Sequence, residues 1–262
     1  MSATTSKRRI DFNCDMGESF GAYTLGLDGQ VIRSVTSANI ACGFHAGDPA
    51  WMRRTVGLAE AHGVGVGAHP GFPDLRGFGR RNVAATPDEV HDDVVYQIGA
   101  LTAFTSAKRL QHVKPHGALY NMAVENDALA RAICQAVLDV DPHLILVVLA
   151  GSRWVTLARE MGVRVAREVF ADRAFTAAGT LVPRSKPGSV LHDEQQVIER
   201  SLRLVLENRV TAVTGEIVEL EADTICLHGD TPGAVRLAEA LRTAFAGAGA
   251  DLQPMGRFIP GA

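Results

Sequence analysis

Six times along this chain a short, β-like apolar run ends in Asp, His, Lys or Arg beside Gly or Pro. The endings are Asn-Cys-Asp-Met-Gly-Glu-Ser at 13–19, Ala-Cys-Gly-Phe-His-Ala-Gly-Asp at 41–48, Gly-Ala-His-Pro-Gly-Phe at 67–72, Lys-Pro-His-Gly-Ala-Leu-Tyr-Asn at 114–121, Phe-Ala-Asp-Arg at 170–173 and Leu-His-Gly-Asp at 227–230. Parallel strands joined by right-handed helical crossovers bring all their C-terminal ends to one rim. The pattern therefore collects ionisable groups on a single face and points to an enzyme.

The segments between these endings support that geometry. Runs at 9–14, 37–42, 64–68, 112–114, 144–150, 164–170 and 224–227 are brief and apolar or β-branched, and read as seven strands. Helical spacing predicts helices over 49–62, 87–108, 127–140, 152–161, 194–208 and 232–246. Thr86-Pro87-Asp88-Glu89 shows a cap, a proline at the first helical position and acids in the first turn, and Asp48-Pro49 and Thr231-Pro232 repeat the cap and proline. Such alternation makes βαβ units, so the fold class is α/β, and the spread of polar endings over most strands favours a (β/α) barrel over a doubly wound sheet. Residues 175–193 lack a helical period and are expected to form a long loop over the same rim, and 210–221 a small hairpin. With 262 residues and no internal repeat or linker, one domain spanning 1–262 is expected, with a disordered N-terminus over 1–8.

Composition excludes some classes of function. A net charge of −3 with scattered Lys and Arg offers no basic stripe for nucleic acid. The polar start and the lack of a long apolar span predict a cytoplasmic protein without a membrane segment. Cys14, Cys42, Cys134 and Cys226 have no metal-finger spacing and read as buried reduced thiols, with a catalytic thiol as the minority view. Gly63, Gly65 and Gly67 do not make a dinucleotide fingerprint, because the run precedes His-Pro instead of a helix, and there is no GxxxxGK[ST] phosphate loop.

The polar endings supply candidate chemistry. Asp15 and Glu18 are separated by the flexible Gly17 and suit an acid/base pair, or else they cap a loop. His45 and His69 sit in Gly-rich turns after neighbouring strands, where with Asp15 they would bind a divalent metal or carry protons, or be hydrogen-bonded structural residues. Lys114 and His116 leave one strand face two residues apart, and the cation would stabilise an oxyanion or phosphoryl group, or pair with a rim carboxylate. Tyr120 adds a hydroxyl; Asp172 and Arg173 offer a carboxylate and a bidentate guanidinium; His228 and Asp230 open the last helix, where an anion or a simple cap would fit. The Gly-Phe-Gly-Arg-Arg run at 77–81 is either a cationic lid meeting phosphate or a basic surface loop.

In the same order, from Ile10 to about Ala234, these segments together with Ser-Ala-Asn-Ile at 37–40, Tyr-Gln-Ile-Gly-Ala-Leu at 96–101 and Glu-Val at 168–169 resemble the LamB/YcsF family, described as the A component of 5-oxoprolinase. The resemblance implies an irregular, TIM-like barrel of the glycoside hydrolase/deacetylase group. It implies a hydrolase acting on a cyclic amide: 5-oxo-L-proline opened to L-glutamate, with ATP as co-substrate going to ADP and phosphate, and with subunits B and C as partners. On that reading Asp15 or Glu18 activates water, and His45, His69 and His116 carry protons or hold metal. Lys114, Arg80 and Arg81 meet phosphate, Arg173 takes the substrate carboxylate, and Asn13, Tyr120, Asp172, His228 and Asp230 complete the binding face. Two other readings fit the same residues: a free-standing metal-dependent deacetylase or amidohydrolase, and a substrate-binding scaffold whose partners do the chemistry.

Overall fold

The computed structural model describes residues 7–228 and 233–260. Seven parallel strands form its centre: β1 (Arg9–Met16), β2 (Ser37–Ala41), β3 (Gly65–His69), β4 (His112–Val113), β5 (Ile145–Leu149), β6 (Arg164–Phe170) and, after an antiparallel hairpin of β7 (Arg209–Thr211) and β8 (Ile217–Glu219), β9 (Thr224–Leu227). Each pairs in parallel with the next, and β9 pairs with both β6 and β1, so the sheet closes into a barrel. The expected strands, hairpin and closure are all present. β4 is only two residues long because Pro115 cannot donate to the ladder.

Helices cover the outside. α1 (Asp28–Val31) is a single turn, and α2 (Pro49–Ala61) and α3 (Pro87–Thr102) start at the caps read from sequence: Asp48 accepts from the Ala50 and Trp51 amides, and Thr86 with Glu89 forms a reciprocal capping box. α3 ends at Thr102, short of residue 108, where a turn places Lys108 at φ 53°. Then come α4 (Gly117–Glu125), which the sequence did not signal, α5 (Asp127–Val140), α6 (Arg153–Glu160), α7 (Glu194–Glu207) and α8 (Ala234–Gly247). The expected Thr231-Pro232 start of the last helix lies outside the described residues. Along β1 the side chains alternate: Phe12 faces out to meet the Phe245 ring of α8 edge-on at 5.9 Å, while Asp11, Asn13 and Asp15 face in.

The barrel interior is polar on the β1 side. Asp11 accepts from the hydroxyls of Thr36, Ser37 and Thr224, and Asn13 bonds Thr224 and accepts from Asn39. A Cβ on Gly67 would lie 2.1 Å from His112 Nε2, and one on Gly65 would lie 2.3 Å from Gln111 Nε2. Those two glycines thus make room for side chains crossing the barrel floor, which is the physical content of the Gly-x-Gly spacing.

The tail after α8, which carries no periodic signal, plugs the end of the barrel opposite the rim. β10 (Asp251–Leu252) adds in parallel to the start of β1, the Met255 amide donates to Asp11, and Met255 and Ile259 pack on Ile145, Val147 and Ala166. Arg8, which sequence grouped with a disordered N-terminus, donates to Asn208 Oδ1 at 2.9 Å and to the Ala222 carbonyl at 2.7 Å.

Met255 is fully buried, so Met255→Ala should lower unfolding free energy by about 2–4 kcal/mol in urea titrations. His91 of α3 bridges Asp92 and Asp139, and hydrogen bonds to those carboxylates raise its pKa above the ordinary 6.5. A raised imidazole stabilises the fold below 6.5 and loses that contribution as pH rises through the folded value. Since the pair is largely exposed the effect is at most about 1 kcal/mol, and His91→Gln should flatten the melting temperature between acid and neutral pH.

Candidate active site

The floor of the site is built around one buried cation. Lys114, at the end of β4, is 3% exposed, and its ammonium lies 2.9 Å from Asp15 Oδ1, 3.0 Å from Glu168 Oε1, 3.0 Å from Cys226 Sγ and 3.3 Å from Asn13 Oδ1. Burial opposes its charge, but Asp15 first, then Cys226 and Glu168, hold its pKa well above the ordinary value. Asp15 is held well below the carboxylate range because His69 and Lys114 outweigh its burial. Asn39, on β2, also donates to Asp15 Oδ1 at 2.8 Å. One oxygen of Asp15 is thereby committed, and the other, Oδ2, lies 3.3 Å from His69 Nε2.

Three imidazoles meet above it. His69 Nδ1 is 2.6 Å from the Lys114 carbonyl, and His116 Nε2 is 2.9 Å from the Phe78 carbonyl. A carbonyl only accepts, so each of those nitrogens carries the hydrogen. In the neutral rings the opposite nitrogens, His69 Nε2 and His116 Nδ1, are then bare lone pairs, and they face each other at 2.9 Å. Two lone pairs at that distance repel unless a proton or a cation lies within reach of both. His45 stacks on His116 at 3.8 Å with the planes 3° apart, is fully buried, and has no hydrogen-bond partner on either nitrogen among the described residues. Burial first, then the neighbouring imidazoles, hold both His45 and His116 well below the ordinary imidazole pKa.

Glu18 completes the group: its Oε1 lies 3.9 Å from His45 Nε2 and from His116 Nδ1. Ligand atoms of Glu18, His45, His69 and His116 all lie within 4.8 Å of one another. The buried cluster can hold a metal ion: carboxylate and imidazole suit a divalent cation, His69 Nε2 and His116 Nδ1 offer lone pairs in the neutral rings, and neither nitrogen of His45 has a hydrogen-bond partner among the described residues. Sequence had proposed Asp15, His45 and His69 for this. The structure groups His116, which the family resemblance had already suggested, with His45 and His69, adds Glu18, and sets Asp15 beside the group through His69.

The cluster lies at the side of a pocket of about 550 Å³ lined by Asp15, His69, Lys114, His116, Tyr120 and His228, with Arg80, Arg173 and Arg184 at its cationic wall. Segment 180–185, within the long loop expected over the rim, forms part of that wall. Arg173 donates to the Val182 and Ser189 carbonyls, and burial first, then Arg184, push its pKa down to about 10, which leaves it cationic at neutral pH. His228 Nδ1 is 2.8 Å from Asp172 Oδ2, and its Nε2 is 2.8 Å from Arg184 Nη2, so Nδ1 carries the hydrogen and Nε2 is the acceptor.

Not every candidate reaches the pocket. Asn13 sits beneath it in the barrel interior, and Arg81 pairs with Asp74 while Arg80 turns inward over the Phe78 ring. The Tyr120 hydroxyl is buried towards Glu168, where burial and then that charge push its pKa well up. Asp230 lies outside the described residues. Sequence reasoning missed Glu168, Asn39, His112 and Arg184 as contributors. Glu168 had a signal, since it runs straight into the apolar Val169-Phe170-Ala171 end of its strand, where a carboxylate needs a buried partner.

The whole of 10–259 matches the model of the LamB/YcsF family. A relative from Pyrococcus furiosus, named as the A component of 5-oxoprolinase, is 55% identical over 253 residues, covering 96% of this chain and 99% of its own. The crystal structure of a lactam utilization protein from Thermus thermophilus superposes with a TM-score of 0.89 at 50% identity, covering 94% of this chain and 99% of that one. A structure of the T48 deacetylase with substrate gives a TM-score of 0.50 at 14% identity over 95% of this chain and 89% of that one, which is a likeness of fold alone. By the span and strength of these matches, this chain belongs to the LamB/YcsF family.

Proposed function

We propose that this chain is the A component of an ATP-dependent 5-oxoprolinase and carries the water-adding, ring-opening step. The observation that supports it most is the convergence of Glu18, His45, His69 and His116 beside a pocket walled by Arg80, Arg173 and Arg184, with its own relatives named as that component. Four buried free thiols suit a reducing cytoplasm.

The chemistry sets what the residues must do. An unstrained lactam is resonance-stabilised and its nitrogen leaves poorly. Phosphorylating the carbonyl oxygen with ATP makes the carbon electrophilic, and in this scheme that step belongs to the partner subunits B and C. After water adds to the carbon, phosphate leaves and the lactam re-forms unless the ring nitrogen takes a proton first. With the proton in place the C–N bond breaks, giving an acyl phosphate that a second water converts to L-glutamate and phosphate.

The site offers a group for each demand. Arg173 and Arg184 bind the substrate carboxylate and phosphate. Asp15, kept ionised by Lys114 on its other oxygen, turns Oδ2 to His69 Nε2 and accepts the proton of the attacking water. Asp172 fixes the His228 tautomer with Nε2 as the acceptor; once the substrate phosphate draws Arg184 away, that nitrogen takes a proton from solvent water and gives it to the ring nitrogen. A divalent cation held by His45, His69, His116 and Glu18 would supply Lewis-acid polarisation of the reacting carbon–oxygen bond.

ADP and glutamate should form from 5-oxoproline and ATP only when this chain is combined with its partner subunits; no product in any combination would overturn the reading. Purified protein should bind about one equivalent of Zn²⁺ or Mn²⁺ by elemental analysis and lose it in His45→Ala, and retention of metal by that variant would remove the cluster from the scheme. Asp172→Asn should lower kcat about 10²–10⁴-fold with little change in KM, and an unaffected kcat would strip His228 of its proton-donor role.

A further inference from the structure

The loop between β3 and α3 is tied down more tightly than a surface turn requires. Asp74 is 6% exposed, and its carboxylate accepts from the Gly77 amide at 2.9 Å and from Arg81 Nε at 3.0 and 3.1 Å, with Arg81 Nη2 closer still. Its carbonyl accepts from the Gly79 amide at 2.9 Å. Within this clasp Phe78 adopts φ 55°, a left-handed conformation that a bulky side chain rarely takes.

That strained residue touches the imidazole cluster. The Phe78 carbonyl accepts from His116 Nε2 at 2.9 Å, and its ring meets His116 and His45 edge-on, with centroids 5.2 and 5.8 Å away. The Gly79 carbonyl accepts from the Ala118 amide at 2.8 Å and so binds the strap to the start of α4. A Cβ on Gly79 would come within 2.7 Å of His45 Cβ and 2.9 Å of His116 Cδ2, so only glycine lets the strap lie this close.

We propose that residues 74–81 form a positioning strap, in which the Asp74–Arg81 clasp holds the Phe78 carbonyl against His116 Nε2 and thereby fixes the tautomer that presents Nδ1 as a lone pair to the cluster. Asp74 and Arg81 are positioning residues: neither reaches the cluster, and both act through Phe78. This assigns Arg81 a role distinct from that of Arg80, whose guanidinium lies over the Phe78 ring on the pocket side. The metal consequence rests on the proposed reading of the cluster, whereas the tautomer does not.

Imidazole ¹⁵N spectra of the whole chain without added metal, with the His116 signals assigned by His116→Gln, read the tautomer directly. Wild type should show a single Nε2–H form, and Asp74→Asn and Arg81→Ala should both show a mixture with Nδ1–H. In Zn²⁺ titrations the same variants should bind about 10–100-fold more weakly, with an altered Co²⁺ absorption spectrum, and Arg81→Lys should recover part of the loss. Should Asp74→Asn not fold, Arg81→Ala carries the test, since that side chain is 64% exposed. An unchanged His116 tautomer in a folded variant overturns the strap, and it does so even when binding is weaker, because a merely structural contact would give that combination. Wild-type protein that binds no metal defeats the metal reading of the cluster, and the ¹⁵N result still decides the strap.

Discussion

A single buried ammonium organises the floor of this barrel. Taking Lys114 out of water is costly, and the cost is offset only by carboxylates fixed within hydrogen-bond distance, here Asp15 and Glu168 from strands on either side of β9. Each partner in turn needs the ammonium, since a buried carboxylate is costly without a hydrogen-bonded counter-charge. The mutual dependence locks three strand ends together and leaves Asp15 with one oxygen fixed and one turned to His69.

From that anchor the order spreads through hydrogen bonds that run in one direction only. The Lys114 carbonyl takes the hydrogen of His69 Nδ1, and the Phe78 carbonyl takes that of His116 Nε2, which leaves His69 Nε2 and His116 Nδ1 as the nitrogens turned in to the cluster. Backbone carbonyls are well suited to this because they have no second protonation state. Side-chain partners in their place would let the rings exchange roles with pH.

Much of this was legible in the chain. Apolar period, caps and the polar strand endings located the seven strands, the hairpin and the long loop, because each of those signals is local. The parts that were not legible depend on contacts distant in sequence. The plug at 251–259 has no periodicity, since it is held by Asp11 and by the interior faces of β5 and β6 and not by a face of its own. Helix α4 escaped notice because its first residue, Gly117, sits at φ 54° and no side chain caps it. Arg80 and Arg81 are identical in type and adjacent in order, and only the position of Asp74 decides which of them turns to the pocket.

The two walls of the pocket come from different parts of the chain. The imidazole cluster is assembled by segments following β1 to β4, whereas two of the three guanidinium groups of the cationic wall, Arg173 and Arg184, come from the end of β6 and the 180–185 stretch of the long loop. The candidate metal-holding group and most of the ligand-binding wall are thus written in separate stretches of the gene. Insertions or substitutions in the loop can retune which molecules are accepted while leaving the imidazole cluster intact, and a barrel partitioned in this way can acquire new substrates by changing one wall at a time.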